Sequence, residues 1–481
     1  MRLQMSQQTV RLRQKWDVPR RWRPSPVSFL ITLLAYLVLG LWWAQRDVSA
    51  GAVGWYTAAV WTLPLGTSVL GLWGGVRSAR RVKYEATEFS DVPPISTDEL
   101  VVVVPTIGRL DTYAALQRVV GSYDRFLPPH FTSVRIDIVI EEGCEARSQI
   151  AVLATTHSRV RLVEVPRGYR TANGTRFKAR ASHYAHERRI AEGEARRDVW
   201  ILHMDDDTGV GADTAIILAR FVAAQRAAGD EGLHLGQGVL TYPREYASNR
   251  IVWLADAIRP GCDISLFARS TGSGSPHAGL HGELLLVRAS AEAAIGWDFG
   301  PRTIVEDATF ALHFCERYPG RSGWFSARSY GASPSTVRDL IRQRERWMWG
   351  LLELVVDRSL PFRRRFLLIH NVSVWACAPL QHPLTVLALG LLIGDPYANP
   401  VHPMLVPLWG INVAFLVWLY WEGLKVNALA SREHGRRWWE PIALVVLMPL
   451  FTLWEVVGVA GGLLRFLRRD ESAFTVIAKS R

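Results

Sequence analysis

The run VWILHMDDDT (199–208) decides the fold. A short apolar stretch that stops abruptly at polar residues reads as a buried strand. Ligands of open α/β sheets bind beyond the carboxyl ends of their strands, and here that end carries three consecutive carboxylates. Asp205 and Asp207, at i and i+2, can converge on one divalent cation. Mg2+ or Mn2+ takes hard oxygen ligands and keeps positions open for substrate phosphates. Three adjacent carboxylates repel one another unless a cation sits among them. A polar turn with a helix cap is the plainer account of the same residues.

Outward from this run the pattern repeats. VVVV (101–104) stops at Pro105 and Thr106, VRIDIVI (134–140) at Glu141, Glu142 and Gly143, and VRLVEV (160–165) at Pro166. LGQGVLTY (235–242) and ELLLV (283–287) follow, and stretches such as FKARASHYAHERRIAEGEARR (177–197) read as helix between strands. Alternating β and α predicts an α/β fold with a mostly parallel sheet covered on both faces. No GxGxxG and no Walker A sequence occurs, so those routes to a dinucleotide or ATP are not supported.

Four further clusters can carry chemistry. In VEDATF (305–310), Glu306 and Asp307 open a helical stretch, and one of them can serve as a general base. Acidic residues also simply favour a helix N-terminus. In RQRERWMWG (342–350), arginine beside tryptophan suits a phosphate contact plus a sugar stack, or an interfacial helix with its aromatic belt. In GTRFKARASHYA (174–185), Lys178 at a helix start after a glycine suits a diphosphate, or is a surface charge. In IEEGC (140–144), Glu141 and Glu142 can hold the polar edge of a nucleoside, or form a turn.

Both ends of the 481-residue chain are apolar while its middle reads as soluble. With 20 Trp, 17 Phe and 13 Tyr, disorder is excluded. The four cysteines are scattered without metal or disulfide spacing, so reduced thiols are expected. The formal net charge is +12, and only five of the 56 basic residues are lysines. The arginines gather beside apolar segments, which favours a membrane surface over nucleic acid. VSFLITLLAYLVLGLWWA (27–44) and the uncharged run 51–76 predict two spans in a hairpin, with basic residues at both outer flanks. Those flanks place the N-terminus and the middle of the chain on the cytoplasmic side. Further apolar runs lie at 367–394, 404–421 and 441–464. Three full spans would leave the basic tail outside, and Glu455 interrupts the last run. A re-entrant or interfacial segment there is the expectation. The arginine skew and short termini point to an integral plasma membrane protein of bacterial origin.

The order of parts carries more than any one of them. Acidic strand end, lysine helix, DxD, ED and QxxRW beside membrane helices resemble membrane-integrated family 2 glycosyltransferases, of cellulose-synthase-like architecture. LGQGVLTYPRE (235–245), GTRFKARA (174–181), LHGELLLVR (280–288), RQRERW (342–347) and the tail AFTVIAKS (473–480) resemble the egghead-type β-1,4-mannosyltransferases. The resemblance covers about residues 98–365 well and the C-terminal helices more loosely. It implies a cytosolic GT-A (nucleotide-diphospho-sugar transferase) domain flanked by transmembrane and interfacial helices. The implied organisation is a basic N-terminus (1–26), two transmembrane helices (27–76), the GT-A domain (77–334) and interfacial helices with QxxRW (335–366). Transmembrane or re-entrant helices (367–467) and a cytosolic tail (468–481) complete it.

By the same resemblance, Asp205 and Asp207 bind Mg2+ or Mn2+ on the nucleotide diphosphate, with Asp206 between them. Asp307 is the general base. Lys178, Gln343, Arg346 and Trp347 meet the diphosphate and acceptor, and Glu141 or Glu142 holds the base. The wider superfamily carries paired aspartates at that last position, and this departure leaves UDP or GDP open. The implied reaction is an inverting transfer of a sugar, mannose from GDP-mannose in preference to a UDP-sugar, onto a lipid-linked or membrane-associated glycan. No nucleic acid is involved. A processive polysaccharide synthase using a UDP-sugar is the alternative, and a catalytically silent membrane scaffold is the reading from another class.

Overall fold

A computed structural model describes residues 22–44, 59–88, 95–380, 406–431 and 437–469. The basic stretch up to residue 21, the second half of the apolar run 367–394, the loop arginines Arg432 and Arg436, and the AFTVIAKS tail lie outside the described residues.

Eight strands form one sheet: β1 (Ser96–Pro105), β2 (Phe131–Glu141), β3 (Val160–Val165), β4 (Val199–His203), β5 (Gly209–Val210), β6 (Leu235–Thr241), β7 (Leu285–Arg288) and β8 (Ser322–Tyr330). Their order is β3-β2-β1-β4-β7-β6-β8-β5. The first half, β3 through β4, is parallel; β7 then runs antiparallel to both β4 and β6, and β6 pairs parallel with β8. The α/β expectation holds, with a mixed rather than uniformly parallel sheet. Strand β8, SGWFSARSY, is not marked by any apolar run in the sequence.

Six strands coincide with the runs read from sequence because both of their faces are buried. Along β1, Leu100, Val102 and Val104 enter one core cluster while Val101 and Val103 enter the other. Successive side chains of a strand point to opposite faces, so a continuous valine run needs cover on both sides. Helices α3 (Tyr113–Phe126), α4 (Arg147–Thr156) and α6 (Ala212–Ala227) supply one face, and α5 (Phe177–Ala191) and α7 (Glu306–Arg317) the other. The predicted helix 177–197 ends early at Gly193, whose φ of +75° a β-carbon would disfavour.

The register sets the site. Val103 pairs with His203 and Pro105 with Val139, so the carboxyl ends of β1, β2 and β4 lie at one edge. Antiparallel β7 pairs Leu285 with His203, which brings the segment before β7, His281–Gly282–Glu283, to that same edge.

Around this domain lie α1 (Val27–Ala44), α2 (Leu65–Glu88), α8 (Val337–Val356), α9 (Phe362–Ala376), α10 (Val406–Ala430) and α11 (Trp439–Arg468). Three described stretches are long and apolar enough to cross a membrane: Ala59–Glu85, Pro407–Ala430 and Trp439–Arg468. The first overlaps the expected run 51–76, of which residues 51–58 lie outside the described residues, and continues through Arg77–Lys83. Glu455, where the sequence led to the expectation of a re-entrant or interfacial segment, lies inside one continuous 30-residue helix, α11. Its second half lies along α8, where Gly458 and Gly462 sit so close that an added β-carbon would stand 2.6 Å from Arg344 Cβ and 2.7 Å from the Glu345 carbonyl. Small residues permit such close helix crossings.

Glu455 answers Arg344 of α8, and the same guanidinium, 2% exposed, donates to Asp256 at 2.6 Å. Arg244, from the YPRE sequence, pairs with Glu440 at the start of α11 at 2.7 and 2.8 Å. Both pairs fasten the α/β domain to α11. Replacing Arg344 by alanine leaves the buried Asp256 and the partly buried Glu455 uncompensated. Thermal unfolding of the full chain in detergent should show a loss of about 3–5 kcal/mol. An unfolding curve matching that of the unaltered chain would contradict this role.

Candidate active site

A cavity of 1390 Å3 opens at the carboxyl edge of the sheet and continues between α2, α9 and α10. Glu141, Lys178, Asp205, Asp206, Asp207, Asp307, Gln343, Arg346 and Trp347 all line it. Of the sequence-selected residues, Glu142 alone is outside: it is exposed and accepts a hydrogen bond from the backbone of Arg167 at 2.8 Å. Between the two glutamates, only Glu141 faces the cavity, where it is paired with Arg180 of α5.

Lys178 joins the motifs. It stands in the first turn of α5, directly after Phe177, whose φ of +56° is strained for a side chain with a β-carbon. Its ammonium donates to Asp205 Oδ1 and to the carbonyl of Gly282 at 3.2 Å, and lies 3.7 Å from Glu306 Oε1. DxD, ED and the LHGE segment thus meet on one cation. Burial alone would lower the Lys178 pKa, but Asp205 and Glu306 outweigh it and hold the amine protonated. Gly282 is needed for the approach, since a β-carbon there would stand 2.6 Å from Lys178 Nζ.

The three aspartates have different partners. Asp205 faces Lys178, and Asp206 Oδ2 accepts from the Thr106 hydroxyl at 2.6 Å. Asp207 is buried, with the Thr208 hydroxyl donating to it at 3.3 Å. Among the described residues, no group of three or more His, Cys, Asp or Glu gathers as a closed metal cage. The donor set nevertheless fits a divalent cation of the Mg2+ or Mn2+ kind. Asp205 and Asp207 offer hard carboxylate oxygens on the cavity wall, and such ions take one or two carboxylates and leave the other positions to phosphates and water.

At the start of α7, Asp307 Oδ1 accepts from the backbone N–H of Ala308 at 2.8 Å. Its neighbour Glu306 also lines the cavity, and burial, with Asp307 adding repulsion, pushes its carboxyl up to about 7 despite Lys178. The linkage has a definite sign. An unfolded glutamate ionises near 4.5, so between there and about 7 the folded chain holds the extra proton. Stability contributed by this group is complete below that window and lost as pH rises through it. In metal-free protein, Glu306→Gln should therefore raise the melting temperature at about pH 8 but not at about pH 5. A difference independent of pH would refute this.

On α8, Gln343 is buried and accepts from Arg344 at 2.7 Å. Burial lowers the Arg346 pKa while Glu306 and Asp205 oppose the shift. The Trp347 ring is in contact with two guanidiniums, Arg259 at 4.4 Å and Arg344 at 4.6 Å from its centroid. Thr106, Arg344, Arg259 and the pair His281–Asp263 were not selected from sequence, and Glu306 was read there only as the alternative to Asp307 for the general base. Thr106, Glu306, His281 and Arg344 stand inside stretches already quoted. Arg259 and Asp263 lie between β6 and β7, where no pattern marks a function.

The family model described as glycosyl transferase family group 2 matches residues 200–421. The Drosophila melanogaster protein named β-1,4-mannosyltransferase egh is 30% identical over 235 residues, 48% of this chain and 49% of its own length. The Caenorhabditis briggsae β-1,4-mannosyltransferase bre-3 is 28% identical over 233 residues, 48% of this chain and 49% of its own length. The chain spans about half the length of the curated relatives it matches. These relatives are animal proteins, which counts against the bacterial source read from the arginine skew. A solved Pyrobaculum calidifontis mannosyltransferase in complex with GDP-Man and Mn2+ aligns over 77% of this chain and 99% of its own at 16% identity, with a TM-score of 0.45. Residues 200–421 thus match the glycosyl transferase family group 2 model, and about half of the chain is similar to the egghead-type β-1,4-mannosyltransferases.

Proposed function

We propose that this chain transfers mannose from GDP-mannose to a lipid-linked or membrane-associated glycan, with inversion at the anomeric carbon and dependence on Mg2+ or Mn2+. One observation carries the reading. Lys178 gathers the DxD and ED carboxylates on a cavity that also holds Gln343, Arg346 and Trp347 and continues between apolar helices. The names of the curated relatives support mannose as the sugar.

Asp205 and Asp207 would hold the cation, which when bound supplies positive charge to the leaving diphosphate. Asp307 takes the proton of the acceptor hydroxyl. That oxygen attacks the anomeric carbon from the face opposite the nucleotide. The bond from this carbon to the diphosphate oxygen breaks, and the diphosphate leaves with the electron pair. Lys178 and Arg346 offset its charge, and Glu141 faces the base. The α/β domain would lie at the cytoplasmic face of the membrane, so that an acceptor anchored in lipid reaches Asp307 without leaving the bilayer.

The test is a release assay on the detergent-purified chain with Mn2+, comparing GDP-mannose, UDP-glucose, UDP-N-acetylglucosamine and GDP-glucose, with and without a membrane lipid extract. Lipid-dependent release of GDP from GDP-mannose alone is the expected result. Turnover only with a UDP-sugar, or a product of many sugars, would replace this reading with a processive synthase.

A further inference from the structure

Between β6 and β7 the chain forms a helical segment that the sequence left without a role. It runs through Ile258–Cys262, a π turn at Asp263–Phe267 and Ala268–Gly272. One side of it is pressed onto α10. A β-carbon on Gly261 would stand 2.2 Å from the carbonyl of Leu419, and one on Gly423 1.7 Å from that of Ala257. Its other side faces the cavity with Arg259, Cys262, Leu266 and Phe267. The donor-side groups stand elsewhere, at the ends of β1, β2 and β4 and on α5. This wall is packed on α10, one of the helices able to cross a membrane.

Two polar side chains here have unused hydrogen-bonding capacity, Arg259 on this wall and His281 on the segment before β7, tied to the wall through Asp263. The guanidinium of Arg259 is only 14% exposed, yet it donates to no described residue, and its nearest carboxylate oxygen, on Glu283, is 4.0 Å away. It is held instead by its contact with the Trp347 ring at 4.4 Å. A largely buried guanidinium with five donors and no acceptor is unusual in a folded chain. His281 also lines the cavity, and its Nε2 is engaged by Asp263 at 2.5 Å. Asp263 is fixed in turn by the backbone N–H of Leu240 at 2.7 Å. With Nε2–H donated to Asp263, Nδ1 is left as an acceptor. Phe267 packs on the imidazole with centroids 4.2 Å apart and sets its plane. A π turn inside a helix often accompanies a functional position, and here it carries Asp263.

We propose that Arg259 and His281 bind the sugar of the acceptor that receives the transferred residue, Arg259 donating to its hydroxyls and His281 accepting from one. The proposal rests on the glycosyltransferase reading above and concerns only the acceptor half of the reaction. The chemistry favours hydroxyls over an anion. Glu283 and Asp263 balance the positive charge locally, and a donor paired with an acceptor matches neighbouring hydroxyls, which both give and take hydrogen bonds. A phosphate only accepts and would find fewer partners here. Asp263 acts through His281 and is a positioning residue.

The experiment uses the full chain in detergent with Mn2+, GDP-mannose as donor and a membrane lipid extract as the acceptor probe. Two quantities are read: the lipid concentration giving half-maximal transfer, and the affinity for GDP by direct titration. Arg259→Ala and His281→Ala should each raise the half-saturating lipid concentration by about tenfold, while GDP affinity changes by less than about threefold. Arg259→Lys should fall between, because an ammonium cannot reproduce the planar fork. Loss of GDP affinity with an unchanged lipid requirement would move Arg259 to the donor and overturn the proposal. No change in either quantity would also overturn it. If the alanine variants lose both, Arg259→Lys and His281→Gln must still show the split, and failure there overturns it. An unaltered chain that releases nucleotide from no donor sinks the glycosyltransferase reading itself, and this inference with it. An active unaltered chain with unaffected variants sinks this inference alone.

Discussion

Asp307→Asn should reduce transfer by about a hundredfold to ten-thousandfold, the range for loss of a positioned general base. It should leave GDP affinity nearly intact. Asparagine keeps the size of the side chain and can still accept from Ala308 N–H, so the first turn of α7 is not disturbed. What it cannot do is take a proton. Glu306, its neighbour, sharpens the test. Its carboxyl is raised to about 7 and is close to Lys178, so it is the alternative candidate for the base. If Asp307→Asn keeps most of its activity and Glu306→Gln loses it, the base is Glu306. Equal loss of transfer and of nucleotide binding would show that Asp307 holds the site together and does not act on the acceptor hydroxyl.

The second large effect concerns Asp207. In Asp207→Ala, GDP affinity in the presence of Mn2+ should fall by about tenfold or more, toward its value in metal-free buffer, as expected for removal of one carboxylate from a site that depends on few protein ligands. Asp207 is buried, 3% exposed, so the variant also loses polar contacts around Thr208. Affinity in metal-free buffer separates the two effects: it should hardly change. Asp206→Ala is the internal comparison. Its carboxylate is tied to Thr106, so its loss should weaken Mn2+-dependent affinity less. Retained Mn2+ dependence in Asp207→Ala would remove that residue from the ligand set.

The strands leading into the site were legible because each is buried on both faces and stops at a charged or turn-forming residue. VRLVEV matches β3 residue for residue. The acidic strand ends and Lys178 were legible for a related reason: clustered like charges beside an apolar run, and one of only five lysines in an arginine-rich chain, are local anomalies. Strand β8 was missed because SGWFSARSY has neither a continuous apolar run nor strict alternation, although eight of its nine residues are buried. Glu455 is the reverse case. A carboxylate within an apolar run stands out when read alone, and its partner, Arg344, lies 111 residues away in the chain.

The sequence alone determined the α/β class, the strand ends that carry carboxylates, the apolar helices and the family resemblance, because all of these are written in residues close together along the chain. Only the tertiary structure decided which parts meet. The antiparallel entry of β7 turned LHGE toward the DxD, Lys178 joined Asp205 to Glu306 across α5, β4 and α7, and Arg344 reached α11. Of the two glutamates after β2, only Glu141 faces the cavity, because Glu142 is drawn away to the Arg167 backbone. Register, helix crossing and the choice of ion-pair partner depend on groups distant in sequence, and short-range periodicity contains no information about them.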